Sequence, residues 1–254
     1  FDAVHLHYDQ YAGIMPHIQC EKKMITSHYP YLENPEPSCV FLYDFLKNSQ
    51  SHIVSLSDRI KTEFIRRGID GTNVSVLPCG IDTQSYALDV DDVLFPDKSI
   101  VVGKIEPRKR QAHLQKQNLR IDFVGNVSDQ SFDTSDPSYL GEQSKQDIMD
   151  NLTAYANMVL LSSGEAHPFV CLEGLAAGLG LVLSEQSTAN LDVSQPFITV
   201  IPDDKINDFD YLREKIEQNR MISLSMRYKI RQYCYENFDW LKIIKKYKEI
   251  INSI

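Results

Sequence analysis

Residues 160–183 read LLSSGEAHPFVCLEGLAAGLGLVL. An apolar run ends in Ser-Ser-Gly at residues 162–164, a short turn with Glu165 follows, and a small-residue helix leads into a second apolar run at 181–183. The order strand, turn, helix and strand predicts a parallel β-sheet with a helix packed on it. Glu165 then lies at the carboxyl end of the first strand, and Glu173 lies eight positions further along, inside the helix.

The same alternation continues outward from this stretch. Short apolar runs predict strands at 3–6, 24–26, 52–56, 74–77, 99–103, 120–125, 158–161 and 181–183. Helices are predicted at 40–47, 58–67, 147–155 and 169–177. Strands that alternate with helices of about 10 to 15 residues indicate an α/β fold with parallel sheets.

An acidic, aperiodic segment at residues 84–98, QSYALDVDDVLFPDK, interrupts this alternation. We therefore expect one α/β domain over residues 1–88, a linker at 89–98 and a second α/β domain over residues 99–239. Ligands of such proteins bind in clefts between domains, beyond the carboxyl ends of parallel strands. The sequence thus predicts a ligand cleft between the two domains.

The last fifteen residues, 240–254, predict a separate helix. Its apolar side chains recur every three or four residues, at Trp240, Ile244, Tyr247, Ile251 and Ile254. This face can pack back on the first domain or lie on a membrane surface. The first arrangement is favoured, because a final helix more often covers its own chain.

Composition excludes several classes of protein. Hydrophobic residues make up 43% and charged residues 24%, a balance typical of a globular chain with a sizeable core. The net charge of −9 repels phosphate backbones, so no nucleic-acid partner is expected. The five scattered cysteines contain no CxxC pair, and the chain opens without a signal-peptide pattern. These features predict a cytoplasmic protein, with contact to the inner face of the membrane at most peripheral.

The two acidic residues of the first-quoted stretch allow two interpretations. The backbone amides of residues 167–170 form the amino-terminal turn of the helix, where free N–H groups attract hydroxyls or anions. A carboxylate can accept hydrogen bonds from two vicinal sugar hydroxyls, so Glu165 and Glu173 suit a glycosylated ligand. Alternatively, one carboxylate complements the helix dipole and the other lies on a solvated face. The spacing alone leaves both interpretations open.

A second segment, VVGKIEPRKR at residues 101–110, joins an apolar strand to a glycine and four basic residues. A phosphate-bearing ligand needs such cations together with the close backbone approach that Gly103 permits. A solvent-exposed loop is the alternative, and the segment by itself favours that alternative.

An ordered series of motifs resembles the GT-B glycosyltransferases of family 4. The series is VSLSDRIKTEFIRRGI, VSVLPCGIDTQSY, VVGKIEPRKR, IDFVGN, YLG and SSGEAHPFVCLEGLAAG, at residues 54–69, 74–86, 101–110, 121–126, 139–141 and 162–178. Family members are retaining enzymes with two Rossmann-like domains that face a cleft, and they use nucleotide-activated sugars. The acidic pair with seven residues between is the family's signature.

The resemblance implies a role for each residue that matches a family motif. Glu165 matches the acid that holds the hydroxyls of the donor sugar, and Glu173 matches the acid that binds the ribose. Lys104 and Lys109, beside Gly103, match the cations that neutralise the diphosphate, although the family usually has arginine at the first position. The donor pocket is completed by His167, Pro168, Phe169 and Val170. His28 matches a histidine of the acceptor domain near the reacting carbon.

The resemblance also bears on metals and on completeness. His5 and His7 share one strand face, and Asp89 and Asp91 form a D-x-D pair. The family has a similar strand without metal, and the acidic pair lies in the expected linker, so no metal cofactor is expected. Family members begin with a strand, a glycine-rich loop and a helix, and these elements have no counterpart in the 254 residues. We therefore expect the acceptor-side domain to be truncated.

Together these features predict a retaining hexosyltransferase that moves a sugar from a nucleotide diphospho-sugar to a saccharide, a lipid-linked glycan or a small molecule. Glu165, His28, Lys104 and Lys109 are the expected catalytic residues. A non-catalytic nucleotide-sugar-binding or assembly domain on the same fold is the alternative. An epimerase is a third option, less favoured because its extra acid and base residues are not identifiable.

Overall fold

The computed structural model describes residues 1–29, 40–91 and 93–254. Cys39 and Asp92, one of the expected linker residues, lie outside the described residues. The chain divides into two compact units. The first unit contains Phe1–Gly80, Glu165–His167 and Leu241–Ile254, and the second contains Ile81–Gly164 and Pro168–Trp240.

The first unit is built on a parallel sheet with strand order β1-β2-β3-β4. Its strands are β1 (Ala3–Leu6), β2 (Lys22–Thr26), β3 (His52–Ser55) and β4 (Val74–Val76). Helices α1 (Val40–Asn48) and α2 (Asp58–Arg66) join them, and a 3-10 helix covers Asp9–His17. Apolar side chains from these elements, such as Ile25, Ile53 and Phe64, form one buried core.

The second unit contains a parallel sheet with a reversal in strand order. Its strands are β5 (Phe95–Val102), β6 (Ile121–Val124), β7 (Tyr155–Leu160), β8 (Gly180–Ser184) and β9 (Ile198–Ile201). The order is β6-β5-β7-β8-β9, so the chain leaves β5 to form β6 on one side and returns to form β7 on the other. The carboxyl ends of β5 and β7 therefore flank the switch point of the sheet, where ligands of open α/β sheets bind.

Helices α3 (Gln111–Gln115), α4 (Lys145–Asn151), α5 (Phe169–Ala176) and α6 (Phe209–Phe238) complete the second unit. Strand β9 and the 30-residue helix α6 were not predicted from the sequence. The buried face of α6 carries polar side chains, so apolar residues do not recur in the sequence with a helical period. Arg227 donates to the backbone oxygens of Thr153 and Tyr155, and Asn219 donates to Leu181 O at 3.1 Å. These bonds anchor the helix to the sheet through main-chain groups.

The expected linker at 89–98 is only partly correct. Strand β5 begins at Phe95, so residues 95–98 are strand. The Phe95 ring lies 5.1 Å from the ring of Tyr155 on β7, and the Lys98 ammonium binds the Asp122 carboxylate on β6 at 3.0 Å. These contacts with both neighbouring strands stabilise an extended segment, although its acidic and aperiodic composition had suggested a linker. The amino-terminal segment of the first unit also ends at Gly80 rather than at residue 88.

Helix α7 (Trp240–Ser253) ends the chain, and from Leu241 onward it counts with the first unit. The Tyr247 hydroxyl lies 2.9 Å from His5 Nδ1, and Lys22 Nζ donates to the carbonyl of Ile251 at 2.6 Å. The expected apolar face is wrong at Trp240, which is 51% exposed, whereas the neighbouring Ile243 is buried. Within the described residues, no helix combines the length and the apolar character needed to cross a bilayer.

Candidate functional site

The loop after β5 brings an ammonium group against a glycine at the switch point. Gly103 has a φ of 131°, and its N–H donates to Val124 O at 2.9 Å. A Cβ atom on Gly103 would lie 3.0 Å from the Lys109 ammonium nitrogen. The bare backbone of Gly103 therefore lets Lys109 fold back toward the carboxyl end of β5.

A second glycine, Gly125, supports this loop from the end of β6. Its φ is 143°, and a side chain there would collide with the Gly103 carbonyl. The Gly125 N–H donates to Gly141 O at 2.9 Å, and the Tyr139 hydroxyl donates to Gly125 O at 3.0 Å. The segments IDFVGN and YLG thus meet behind the basic loop, and main-chain contacts fix its position.

Lys104 presents the second cation of this loop. The buried Gln111 side chain holds the backbone on both sides, since its Nε2 donates to Lys104 O at 2.9 Å and its Oε1 accepts from Glu106 N at 3.2 Å. The Lys104 side chain is 58% exposed, and its Nζ lies 4.0 Å from a carboxylate oxygen of Glu106. The loop backbone is therefore rigidly held while the ammonium group extends from it.

Arg108 joins the β5 loop to the loop after β7. Its Nη2 donates to a Glu106 carboxylate oxygen at 2.6 Å, while its Nη1 donates to Ser162 Oγ at 3.0 Å and to the Gly164 carbonyl. The Ser163 N–H in turn donates to the Arg108 carbonyl at 2.9 Å. This arginine positions two loops, a role that the sequence analysis missed.

Glu173 lies on α5, is buried, and has two partners that the sequence analysis missed. The Lys145 ammonium forms an ion pair with Oε1 of Glu173. The Tyr86 hydroxyl donates to the same oxygen at 3.0 Å. Burial, and secondarily the Glu173 charge, raises the pKa of Tyr86, so its hydroxyl remains a donor. Tyr86 belongs to the motif VSVLPCGIDTQSY, whereas nothing in the sequence marks Lys145 except its place in the first turn of α4.

Helix α5 begins where the donor-pocket amides were expected. Pro168 precedes its first turn in an extended conformation, and Phe169 and Val170 are the first helical residues. The Phe169 side chain is 40% exposed, and its ring lies 5.3 Å from the Lys145 ammonium. The N–H groups of Phe169 and Val170 lie in this first turn, and their expected contact with a donor sugar stays a prediction.

Glu165 and His167 count with the first unit. Glu165 is half-buried, and Ala166 joins the core of that unit. His167 is 7% exposed, and its Nδ1 accepts a hydrogen bond from Cys79 N at 3.0 Å. Burial lowers the pKa of His167 to about 4, so the imidazole is neutral at pH 7. Its side chain thus holds the loop after β4, and the expected contact of its backbone with a donor stays a prediction.

His28 belongs to a row of three histidines in the first unit. Its Nε2 lies 3.3 Å from His7 Nδ1, and the His5 and His7 ring centres are 4.2 Å apart. His5 also contacts Thr26 Oγ1 at 2.8 Å. Burial, followed by the neighbouring histidines, lowers the pKa of His5 to about 4, and burial is the main cause that lowers the pKa of His28. The described residues include no cluster of three or more histidine, cysteine or acidic side chains suited to a metal ion.

The first unit is expected to lose stability as the pH falls from 6.5 to 4. His5 and His167 each have a folded pKa of about 4, below the unfolded value of about 6.5. The unfolded chain binds more protons in this window, so the free energy of unfolding decreases as the pH decreases. Urea unfolding at half-unit pH steps measures this slope.

Matched variants isolate the source of that pH dependence. His167→Gln is expected to flatten the slope between pH 6.5 and 4. His17→Gln, at an exposed position of the same unit, is the control and is expected to leave the slope unchanged. Equal slopes in the wild type and in His167→Gln contradict the assignment.

The structure thus brings Gly103, Lys104 and Lys109 together in one loop of the second unit and places Glu173 in the same unit. His28, Glu165 and His167 count with the first unit. Lys145, Tyr86 and Arg108 are additions from the structure.

Comparisons with known proteins identify the fold. No protein-family model matches the chain, and no curated protein sequence matches it. Anabaena HepE in complex with UDP-glucose superposes with a TM-score of 0.81 at 12% identity, covering 100% of this chain and 79% of HepE. Sucrose-phosphate synthase from Thermosynechococcus elongatus gives 0.77 at 14% identity, covering 100% of this chain and 73% of that protein.

The lipopolysaccharide outer core galactosyltransferase WaaB is a further match. It gives a TM-score of 0.73 at 15% identity, covering 99% of this chain and 75% of WaaB. At such identities the likeness concerns the fold alone. The two parallel α/β units, matched over the whole length of the chain, show that the protein has the GT-B fold of these glycosyltransferases.

Proposed function

We propose that the protein transfers a glycosyl unit from a nucleotide diphospho-sugar to an acceptor with retention at the anomeric carbon. The observation that carries this proposal is the loop at the switch point of the second unit. There, the backbone of Gly103 and the ammonium groups of Lys104 and Lys109 form a site suited to a pyrophosphate. The UDP-glucose in the structurally similar HepE supports the same donor class.

The chemical difficulty in this reaction is the departure of the nucleoside diphosphate. Charge develops on the phosphate oxygens as the bond to the anomeric carbon breaks. Lys104 and Lys109 stabilise that charge from fixed positions, which is electrostatic catalysis by preorganised groups. In this proposal the fixed cations do the work of a metal, and no metal cofactor takes part.

The other residues orient the sugar and the acceptor. Glu165 binds hydroxyls of the donor sugar, helped by backbone groups of residues 167–170, and His28 lies on the acceptor side. The acceptor oxygen bonds to the anomeric carbon on the face that the diphosphate leaves, and its proton passes to the departing diphosphate. No covalent nucleophile is assigned.

The acceptor that we propose is a saccharide or a lipid-linked glycan. The net charge of −9 disfavours strong attachment to anionic lipids, so any membrane contact in this proposal is peripheral. Among the described residues, Cys20, Cys79 and Cys234 are free thiols, which fits a reduced, cytoplasmic setting.

Nucleotide binding and turnover together test the proposal. A thermal-shift panel of UDP-, GDP- and ADP-sugars is expected to raise the melting temperature for one donor class. That donor is then assayed for hydrolysis and transfer with the wild type, Glu165→Gln and the control Glu249→Gln, an exposed position on α7. Loss of turnover in Glu165→Gln alone supports the assignment.

The other results of these assays are equally informative. Equal rates in all three proteins contradict the role of Glu165. Tight binding without turnover favours the non-catalytic alternative. Conversion of the donor to an epimer without acceptor favours an epimerase.

A further inference from the structure

The carboxylate of Glu173 is held at one oxygen by two donors. The Lys145 ammonium and the Tyr86 hydroxyl both bind Oε1, and the two donors lie 2.5 Å from each other. A carboxylate has about four acceptor positions over its two oxygens. The described part of the chain uses Oε1 heavily and leaves the acceptor capacity of Oε2 for a ligand.

Lys145 reaches this carboxylate from the surface. Its side chain is 56% exposed, whereas the side chain of Glu173 is 11% exposed. The ammonium lies 5.1 Å from the ring centre of Tyr86 and 5.3 Å from that of Phe169. Cations are attracted to aromatic faces at such distances, so the two rings and the carboxylate together define one position for the ammonium.

The buried Glu173 carboxylate receives an ion pair from the Lys145 ammonium and a hydrogen bond from the Tyr86 hydroxyl. Buried polar and charged groups need such partners. Because Lys145 and Tyr86 both bind the same oxygen, they also fix the rotation of the carboxylate and therefore the direction in which Oε2 accepts.

We propose that Lys145 and Tyr86 are positioning residues that present Oε2 of Glu173 to a ribose hydroxyl of the nucleotide, and that this contact selects ribonucleotides over nucleotides without ribose hydroxyls. The inference rests on the proposed function and on the prediction that Glu173 binds the ribose of the nucleotide. It adds the residues that make the carboxylate selective. Phe169 contributes its ring face to the same arrangement.

Isothermal calorimetry with paired nucleotides tests this inference. UDP, GDP and ADP are each compared with their 2′,3′-dideoxy counterparts, and the ratio of the two dissociation constants is the readout. A hydrogen bond to a charged acceptor predicts a ratio of about 10 to 100 for the wild type. Lys145→Met is expected to reduce that ratio to about 3 or less, mainly by weakening the binding of the ribonucleotide.

Further variants separate positioning from folding. Lys145→Arg keeps the cation and is expected to restore most of the selectivity. Tyr86→Phe keeps the ring, removes the donor, and is expected to lower the ratio. Lys229→Met, at an exposed position on α6, is the matched control and is expected to retain the wild-type ratio. A purely structural role changes the melting temperature without changing the ratio.

The outcomes distinguish failure of this inference from failure of the proposed function. A wild-type protein that binds ribonucleotides selectively, with the same selectivity in Lys145→Met, overturns this inference and leaves the proposed function standing. A wild type that binds none of the three ribonucleotides overturns both. Loss of selectivity in Lys145→Met with recovery in Lys145→Arg supports the inference.

Discussion

Replacement of Lys109 by methionine is expected to slow glycosyl transfer by about 10²–10³-fold, the loss typical when one preorganised group is removed from a charged transition state. Methionine keeps most of the aliphatic length of lysine and removes the charge. The Lys109 ammonium lies against Gly103 at the switch point, where the diphosphate is proposed to leave. Because the charge on that group develops during bond breaking, kcat is expected to fall more than KM rises.

Steady-state kinetics with the donor found in the thermal-shift panel measure the effect. Lys116→Met serves as the control, since Lys116 is exposed at the end of α3 in the same unit. Both variants are expected to unfold at the wild-type temperature. A Lys109→Met protein that retains full kcat removes Lys109 from the mechanism, and equal losses in both variants indicate a general electrostatic effect.

Replacement of Gly125 by alanine is expected to destabilise the second unit by about 3 kcal/mol or more. Two costs combine there. A non-glycine residue at a φ of 143° is strained by about 1–3 kcal/mol. The new Cβ would also collide with the Gly103 carbonyl, and overpacking against a rigid backbone costs about 1–3 kcal/mol more. The melting temperature is expected to fall by about 6–12 °C.

Gly141 provides a control that separates these two costs. It also has a positive φ, 80°, but a Cβ there meets nothing within 4 Å. Gly141→Ala is therefore expected to cost only about 1 kcal/mol, from backbone strain alone. Differential scanning calorimetry compares the two variants. Equal destabilisation would show that the contact between the Gly103 and Gly125 backbones does not determine stability.

Local patterns were sufficient to predict much of the fold. The run at residues 3–6 is strand β1, and the helix expected after Ser57 begins there because the Ser57 side chain accepts a hydrogen bond from Ile60 N. Helix α6 was missed, since arginine and asparagine lie on its buried face and bind backbone carbonyls. A buried polar residue that finds its partner in a distant strand leaves no periodic signal in the sequence.

Only part of the candidate site was predictable from the sequence. Glycine followed by lysines marked the basic loop, because Gly103, Lys104 and Lys109 come from one short segment. The partners of Glu173 were not predictable, since Lys145 and Tyr86 lie 28 and 87 residues away in the chain. Arg108 lies in the basic run, but its side chain joins two loops. Only the three-dimensional contacts separate a binding cation from a structural one.

The hydrogen bonds between the first strands and helix α7 have a consequence for biosynthesis. His5 and Tyr247 are 242 positions apart, and Lys22 and Ile251 are 229 apart. Contacts between such distant positions form late, because the whole intervening chain must be present. The first unit therefore acquires these contacts only after the codons for α7 are translated. Until then, a nascent chain exposes the surface that α7 later covers, and protection by chaperones is most needed during this interval.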